Sequence, residues 1–209
     1  MAVYQVLPLI DGMLNQADGG GTGGPGRKTV GHEETRRMTP ALILACGNPL
    51  RGDDGLGGWM AAQVQEKFTS SQVKVVASQQ FTPELAEPIS TADTVIFLDC
   101  SAKEEPGKVS LQVMTPAEKL PRLISHHMHP ATLLRLSQEL YGRIPQHAYF
   151  ITVGGKSFKM GSQLSDAVRN AGPAVLTLVA EIVQGANTLR WNLPGSEQLV
   201  ADESELTTV

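Results

Sequence analysis

Carboxylates and imidazoles stand next to apolar segments at three places in this 209-residue chain. Asp53 and Asp54 are adjacent in a glycine-rich turn, and Asp99 ends an apolar run. Three histidines precede a later amphipathic segment, namely His126, His127 and His129. Two carboxylates and one imidazole form a mixed oxygen and nitrogen ligand set, which suits a borderline divalent ion such as nickel, zinc or iron. These residue types therefore indicate a site that contacts a metal.

Each of these side chains also has an ordinary structural interpretation. Acids favour helix N-termini, so Asp53 is predicted to cap the helix that begins near Leu56. Asp99 could bind loop amides at the end of its strand. The histidine cluster could be a solvated loop, since three imidazoles within four residues cannot all be ligands. The shared location of the three segments favours the site.

Apolar runs and amphipathic segments alternate through the middle of the chain. The predicted strands are residues 41–46, 73–78, 94–100, 108–114 and 148–153. The predicted helices are residues 56–68, 82–90, 130–142 and 165–185. The run 41–46 is apolar throughout, as in a strand buried on both faces, whereas 108–114 alternates like a half-exposed edge strand. Pro173 is expected to kink or restart the last helix.

This alternation predicts an α/β fold, a three-layer sandwich with a mostly parallel sheet of about five strands and helices on both faces. Ligands of such sheets bind beyond the carboxyl ends of the strands. We therefore expect the three polar segments to meet at that edge.

Composition limits the domain boundaries. Residues 1–38 are rich in glycine and charge and are predicted to form a disordered extension, because they cannot bury enough apolar surface to offset the entropy of ordering. Residues 39–185 form the predicted catalytic α/β domain, and the acidic, aperiodic residues 186–209 form a predicted flexible tail.

Charge and cysteine usage exclude several functions. A net charge of -4 and a pI near 5.7 argue against nucleic acid as a partner. No apolar segment is long enough to span a membrane, and no secretion signal is visible, so a cytoplasmic location is predicted. Cys46 and Cys100 each lie within an apolar run and are predicted to be buried thiols, and Cys100 is not expected to be a nucleophile.

Four segments of the sequence resemble one known family. "GNPLRGDDGLG" is similar to the signature of the [NiFe]-hydrogenase maturation endopeptidases, and "VIFLDCS" falls where that family has a strand ending in aspartate. "SHHMHPATLL" falls where the family has a histidine opening a helix, and "GGKSFKMGSQLSDAV" is similar to its glycine-rich loop before the last helix. The resemblance covers roughly residues 40–184 and implies a phosphorylase/hydrolase-like fold.

The resemblance also implies a function. The enzyme would be an endopeptidase that removes a C-terminal peptide from the hydrogenase large-subunit precursor after nickel insertion. Asp54, Asp99 and His126 would be both the catalytic and the metal-contacting residues, with His127 and then His129 as less well aligned histidines. The nickel would be supplied by the precursor, no other cofactor is implied, and the enzyme is expected to act as a monomer.

Two other functions stay open on the sequence. A non-proteolytic chaperone of the same metal site would use the same ligands as the protease. A peptidyl-tRNA hydrolase also opens with "GNP" after its first strand, but it should carry a basic face and an "RHN"-like stretch, and this acidic chain has neither.

Overall fold

A computed structural model describes residues 40–121 and 128–185 of the chain. The strands are β1 (Ala41–Cys46), β2 (Val73–Ser78), β3 (Thr94–Ser101), β4 (Val109–Val113) and β5 (His147–Gly154). The α-helices are α1 (Leu56–Lys67), α2 (Ala86–Thr91), α3 (Pro130–Tyr141) and α4 (Asp166–Val183). Short 3-10 turns at Gly52–Gly55 and Pro83–Leu85 lead into α1 and α2.

The strands form one sheet in the order β2-β1-β3-β5-β4. The β1–β2, β1–β3 and β3–β5 pairs are parallel, and only the edge strand β4 runs antiparallel to its neighbour. The carboxyl ends of four strands therefore lie along the same edge. The structure confirms the predicted α/β class and the mostly parallel sheet.

Helices cover both faces of the sheet because strand side chains alternate between the faces. Ile43 of β1 and Ile96 of β3 pack with the apolar stripes of α1 and α4. Leu44 and Phe97, one residue further along each strand, pack with α2 and α3 on the other face. Every residue of β1 is buried, as its uninterrupted apolar run predicts.

Two glycines allow the chain to turn tightly from β1 into α1. Gly47 has φ +143°, and a Cβ built there would lie 1.8 Å from the backbone oxygen of Asp54. A Cβ on Gly57 would lie 2.0 Å from the carbonyl oxygen of Cys46. Because only glycine fits such contacts, these two positions fix the turn that carries Asp54 against the end of β1.

Several sequence predictions need correction. The segment predicted as a helix over 82–90 begins as the 3-10 turn, so α2 is shorter than expected. Pro173 does not restart the last helix, because α4 runs unbroken from Asp166 to Val183. Pro173 is exposed, and there water can satisfy the carbonyl group that loses its helical donor. The predicted extension 1–38 and tail 186–209 lie outside the described residues.

Candidate active site

A row of side chains crosses the carboxyl edge of the sheet on the face covered by α2 and α3. Asp99 of β3 is in register with Thr152 of β5. On the other side of β3, Leu98 is in register with Ala45 of β1. The next residue of each strand follows the same register, so Cys46 lies beside Asp99 at the end of β1. Registered residues of parallel strands point to the same face, so these side chains share one surface. The Oδ1 atom of Asp99 also accepts a hydrogen bond from the N–H of Cys100 at 2.8 Å.

Asp54 reaches the same edge from the turn after β1. Its Oδ2 atom accepts a hydrogen bond from the N–H of Asn48 at 3.2 Å, and its own N–H donates to the carbonyl of Arg51. The side chain is half-buried. One long hydrogen bond leaves most of the acceptor capacity of this carboxylate available to a partner.

The pKa of the Cys46 thiol depends on burial and on the charges of Asp99 and Asp54. Burial raises the pKa of Cys46 to about 12, and the negative charges of Asp99 and Asp54 add to that rise. Its Sγ atom donates to the carbonyl of Gln79 at 3.4 Å. Both acids lie near the end of β1, Asp54 in the turn that follows it and Asp99 on the neighbouring strand β3.

Neither cysteine has the properties of a nucleophile. Cys100 is half-buried and packs against the core formed with α1 and α4. Its pKa is raised to about 12 by burial first, and then by the charges of Asp53, Asp99, Asp54 and Glu104. Because the thiolate is the reactive form, both thiols are inert at neutral pH. Cys46 is buried as predicted, whereas Cys100 is only half-buried.

Asp53 does not cap α1, and the prediction that it would is wrong. No side-chain hydrogen bond caps the 3-10 turn or α1. The carboxylate of Asp53 is fully buried and instead accepts hydrogen bonds from the N–H groups of Lys156 (2.7 Å), Ser157 (2.9 Å) and Ser165 (2.6 Å). Burial opposes its ionisation, but these hydrogen bonds, with one from the Ser165 side chain, outweigh burial and lower the pKa of Asp53.

Of the three histidines in the predicted cluster, only His129 lies within the described residues. His126, the predicted ligand, and His127 lie outside the described residues. His129 is the N-cap of α3, where its Nδ1 atom accepts from the N–H of Ala131 at 3.3 Å. Its ring meets Phe150 edge-on, 5.9 Å between centroids, and desolvation lowers the pKa of His129. The residues 40–121 and 128–185 contain no set of three His, Cys, Asp or Glu side chains arranged to hold a metal.

Glu104 lies near the site and was not singled out from the sequence. Its carboxylate accepts hydrogen bonds from the hydroxyls of Thr152 and Ser110, each at 3.0 Å. Since Thr152 is the register partner of Asp99, Glu104 supports the residue next to a candidate catalytic acid. No sequence spacing signals this arrangement, because it depends on the antiparallel pairing of β4 with β5.

A pocket of about 210 Å³ opens beside the turn that carries Asp54. Its lining is made of small or uncharged residues, namely Gly47, Pro49, Gly58, Ala77, Ser78 and Gln79. The pocket thus extends from the β1 turn to the end of the edge strand β2. These lining residues include no charged side chain.

Solved structures of hydrogenase maturation peptidases share this fold. The hydrogenase maturating endopeptidase HybD from E. coli matches with a TM-score of 0.57 and 20% identity, over 70% of this chain and 93% of that chain. The [NiFe] hydrogenase maturation protease HycI from Thermococcus kodakarensis KOD1 matches with a TM-score of 0.56 and 21% identity, over 70% and 93%. The [NiFe] hydrogenase maturation protease HybD from Thermococcus kodakarensis is 26% identical, with a TM-score of 0.53, over 69% and 99%. No family model and no curated protein matches the chain.

The fold defines the class of protein, an α/β domain with a mostly parallel five-stranded sheet built as in the maturation peptidases. The [NiFe]-hydrogenase maturation endopeptidases, which the sequence motifs resemble, thus have the same fold as this chain. Among the described residues, no helix is both long and apolar enough to cross a membrane.

Proposed function

We propose that this protein removes a C-terminal peptide from the large-subunit precursor of a [NiFe]-hydrogenase after nickel has been inserted. The observation that supports the proposal is the placement of the two acids on neighbouring segments, Asp99 at the carboxyl end of β3 and Asp54 in the turn that follows the adjacent β1. The structural neighbours named as hydrogenase maturation proteases support the same activity. The nickel is part of the substrate in this proposal.

Three side chains would contact the nickel of the precursor. Asp54 would supply an oxygen ligand from the turn after β1, Asp99 would supply one from the end of β3, and His126 would supply the imidazole nitrogen. This donor set suits a borderline divalent ion. Such a site is incomplete without the ligands of the precursor, so only a nickel-loaded precursor would dock fully. That requirement couples cleavage to nickel insertion.

Peptide hydrolysis at this site needs water rather than a protein nucleophile. A water molecule attacks the scissile carbonyl carbon and gives up a proton to a carboxylate, either Asp54 or Asp99. The C–N bond then breaks, the amine of the released peptide takes up the proton, and the precursor keeps a new carboxylate. Both cysteine thiols are protonated at neutral pH, which supports a route without a thiol nucleophile.

The pocket beside Asp54 would hold the peptide that flanks the scissile bond. Its uncharged lining and its position next to the end of β2 suit an extended chain with short side chains. Holding the peptide there would orient the scissile carbonyl toward the carboxylates, and such positioning contributes much of the rate of many enzymes. We also propose that the protein acts as a monomer in the cytoplasm, which suits its two free cysteines.

The test is to incubate the purified protein with nickel-loaded and nickel-free precursor and to measure intact masses. We expect the nickel-loaded precursor to lose the mass of one C-terminal peptide and the nickel-free precursor to keep its mass. Asp54→Asn, Asp99→Asn and His126→Ala should each slow cleavage by about 10²–10⁴-fold, the usual cost of losing an acid–base or metal-contacting group. Glu66→Gln and His147→Ala are control variants of exposed residues, at the end of α1 and the start of β5, and should cleave normally.

Other outcomes would favour the other functions. Nickel-dependent binding without any mass change would show a chaperone of the metal site. Cleavage that persists in both aspartate variants but stops with serine- or thiol-directed inhibitors would refute the scheme. Hydrolysis of peptidyl-tRNA without action on the precursor would establish the remaining alternative.

A further inference from the structure

Two loops next to the candidate active site expose cationic and apolar side chains together. The first follows β1 and carries Leu50 and Arg51, and the second follows β5 and carries Lys156, Lys159 and Met160. All five are exposed, and the exposed fractions of Leu50 and Met160 are 63% and 72%. We call these five residues the cationic rim.

The rim is held in one shape by a set of hydrogen bonds between the two loops. The buried carboxylate of Asp53 binds the N–H groups of Lys156 and Ser157, and the N–H of Asp53 donates to the carbonyl of Ser157 at 2.9 Å. The N–H of Gly161 donates to the carbonyl of Leu50 at 2.8 Å. A buried charge is costly to the fold, so its use to fix two surface loops points to a surface whose shape matters.

The charge of the rim is opposite to that of the whole chain. The chain carries a net charge of -4, yet the rim has three cations and no acid among its members. Within the described residues, the ion pairs join Arg135 with Glu139 and Arg169 with Asp166, and none involves a rim residue. No described residue therefore forms an ion pair with any of the three rim cations.

The rim is also continuous with the candidate active site. The carbonyl of Arg51 accepts the N–H of Asp54 at 3.2 Å, so the two side chains belong to one turn. A partner that places its scissile bond at Asp54 must cover this turn. The large exposed apolar side chains on either side of the cations would then be buried, which is how interface anchors gain affinity.

We propose that the cationic rim is the docking surface for an acidic segment of the precursor that also carries apolar side chains. This proposal rests on the proposed function and adds a recognition element outside the metal-contacting residues. Acidic side chains would pair with Arg51, Lys156 and Lys159, and apolar ones would pack on Leu50 and Met160. Docking there would raise the affinity for the precursor and leave the hydrolytic step unchanged.

The charge test compares two triple variants on the full chain. R51E/K156E/K159E reverses the rim, and K67E/K74E/R143E reverses three exposed cations near the opposite edge of the sheet. With nickel-loaded precursor as the substrate, the rim variant should raise KM by at least about tenfold at low salt, with kcat within twofold of the wild type. The difference in KM between the rim variant and the wild type should decrease as ionic strength rises, because salt screens exposed charges. The control should keep the KM of the wild type.

The apolar test is matched in the same way. Leu50→Ser with Met160→Ser should raise KM about three- to tenfold, whereas Val113→Ser with Leu140→Ser, exposed residues elsewhere, should leave it unchanged. Circular dichroism and the thermal midpoint verify that each variant is folded.

The outcomes separate the two proposals. If the wild type cleaves but both rim variants keep its KM, the docking proposal is overturned and the protease stands. If the wild type binds the precursor without cleaving it, and the rim variant binds at least tenfold more weakly, docking stands and the protease does not. If the rim and control charge variants lose the same affinity, the effect belongs to net charge and the docking proposal fails.

Discussion

Asp53→Asn tests whether a buried carboxylate fixes the loop after β5. Asp53 accepts three backbone N–H groups with two oxygens, Oδ2 from Lys156 and Ser157 and Oδ1 from Ser165. Asparagine has one oxygen, so its amide group must point its own N–H toward at least one of these donors. The variant loses a hydrogen bond to a charged group and leaves a buried donor without an acceptor.

The size of the effect follows from those losses. A hydrogen bond to a charged group contributes about 1.5–3 kcal/mol, and a buried donor left unsatisfied costs about 1–3 kcal/mol. Both ranges include part of the cost of the same lost hydrogen bond, so they are not simply added. We expect the free energy of unfolding to fall by about 2–4 kcal/mol. The measurement is urea denaturation, in which the midpoint should fall while the m-value stays constant.

The neighbouring residue supplies the control. Asp54→Asn makes the same chemical change one position away, but Asp54 is half-buried and its side chain accepts a single 3.2 Å hydrogen bond. We expect a loss below about 1 kcal/mol. Equal losses at the two positions, or a loss below about 1 kcal/mol for Asp53→Asn, would contradict the role of Asp53.

The pH dependence gives a second measurement on the same residue. The pKa of Asp53 is lowered in the folded protein, so the unfolded state binds its proton first as the pH falls. Its contribution to stability is therefore fully present above the pKa of an unfolded aspartate, about 3.9, and is lost as the pH falls from there through the folded-state pKa. The wild type should lose more stability than Asp53→Asn across this acidic range, and parallel curves would refute the assignment.

Two further predictions concern the cysteines and the turn after β1. Since the pKa values of Cys46 and Cys100 are raised to about 12, both thiols should react with a disulfide reagent at pH 8 only after denaturation, and rapid reaction of the folded protein would contradict the burial. Gly47→Ala should lower the free energy of unfolding by more than about 3 kcal/mol, because its Cβ would lie 1.8 Å from the backbone oxygen of Asp54 at φ +143°. Gly142→Ala is the control, since nothing lies within 4 Å of a Cβ there; a thermal melt that places both variants together would show that the contact is relieved cheaply.

Local patterns in the sequence were enough to find the elements of the sheet and helices. Apolar runs, helical spacing and the glycine at position 142 depend only on residues that are near one another in the chain. The run 41–46 indicated burial on both faces because no polar residue interrupts it, and β1 is buried throughout. The alternating pattern of residues 108–114 predicted an edge strand but not that this strand is antiparallel. The direction of a strand relative to the sheet depends on the strand with which it pairs.

The roles of the acids could not be derived from local patterns. Asp53 was predicted to cap a helix three residues away, whereas its carboxylate binds N–H groups 103 to 112 positions further along the chain. A capping rule considers only residues close together in the sequence, so it cannot identify such distant hydrogen-bond donors. The role of Glu104 was missed for the same reason, since its donor Thr152 is 48 positions away.

The amino-acid sequence by itself determined the alternation of strands and helices, the acidic residues that follow the strands, and the glycines that permit a tight turn. Only the tertiary structure decided that β1 and β3 are neighbours, and therefore that Asp99 lies beside the end of β1, from which the turn carrying Asp54 begins. The physical reason is that helix and strand formation depends on contacts within a few residues, whereas strand order and the destination of a buried charge depend on contacts between distant segments.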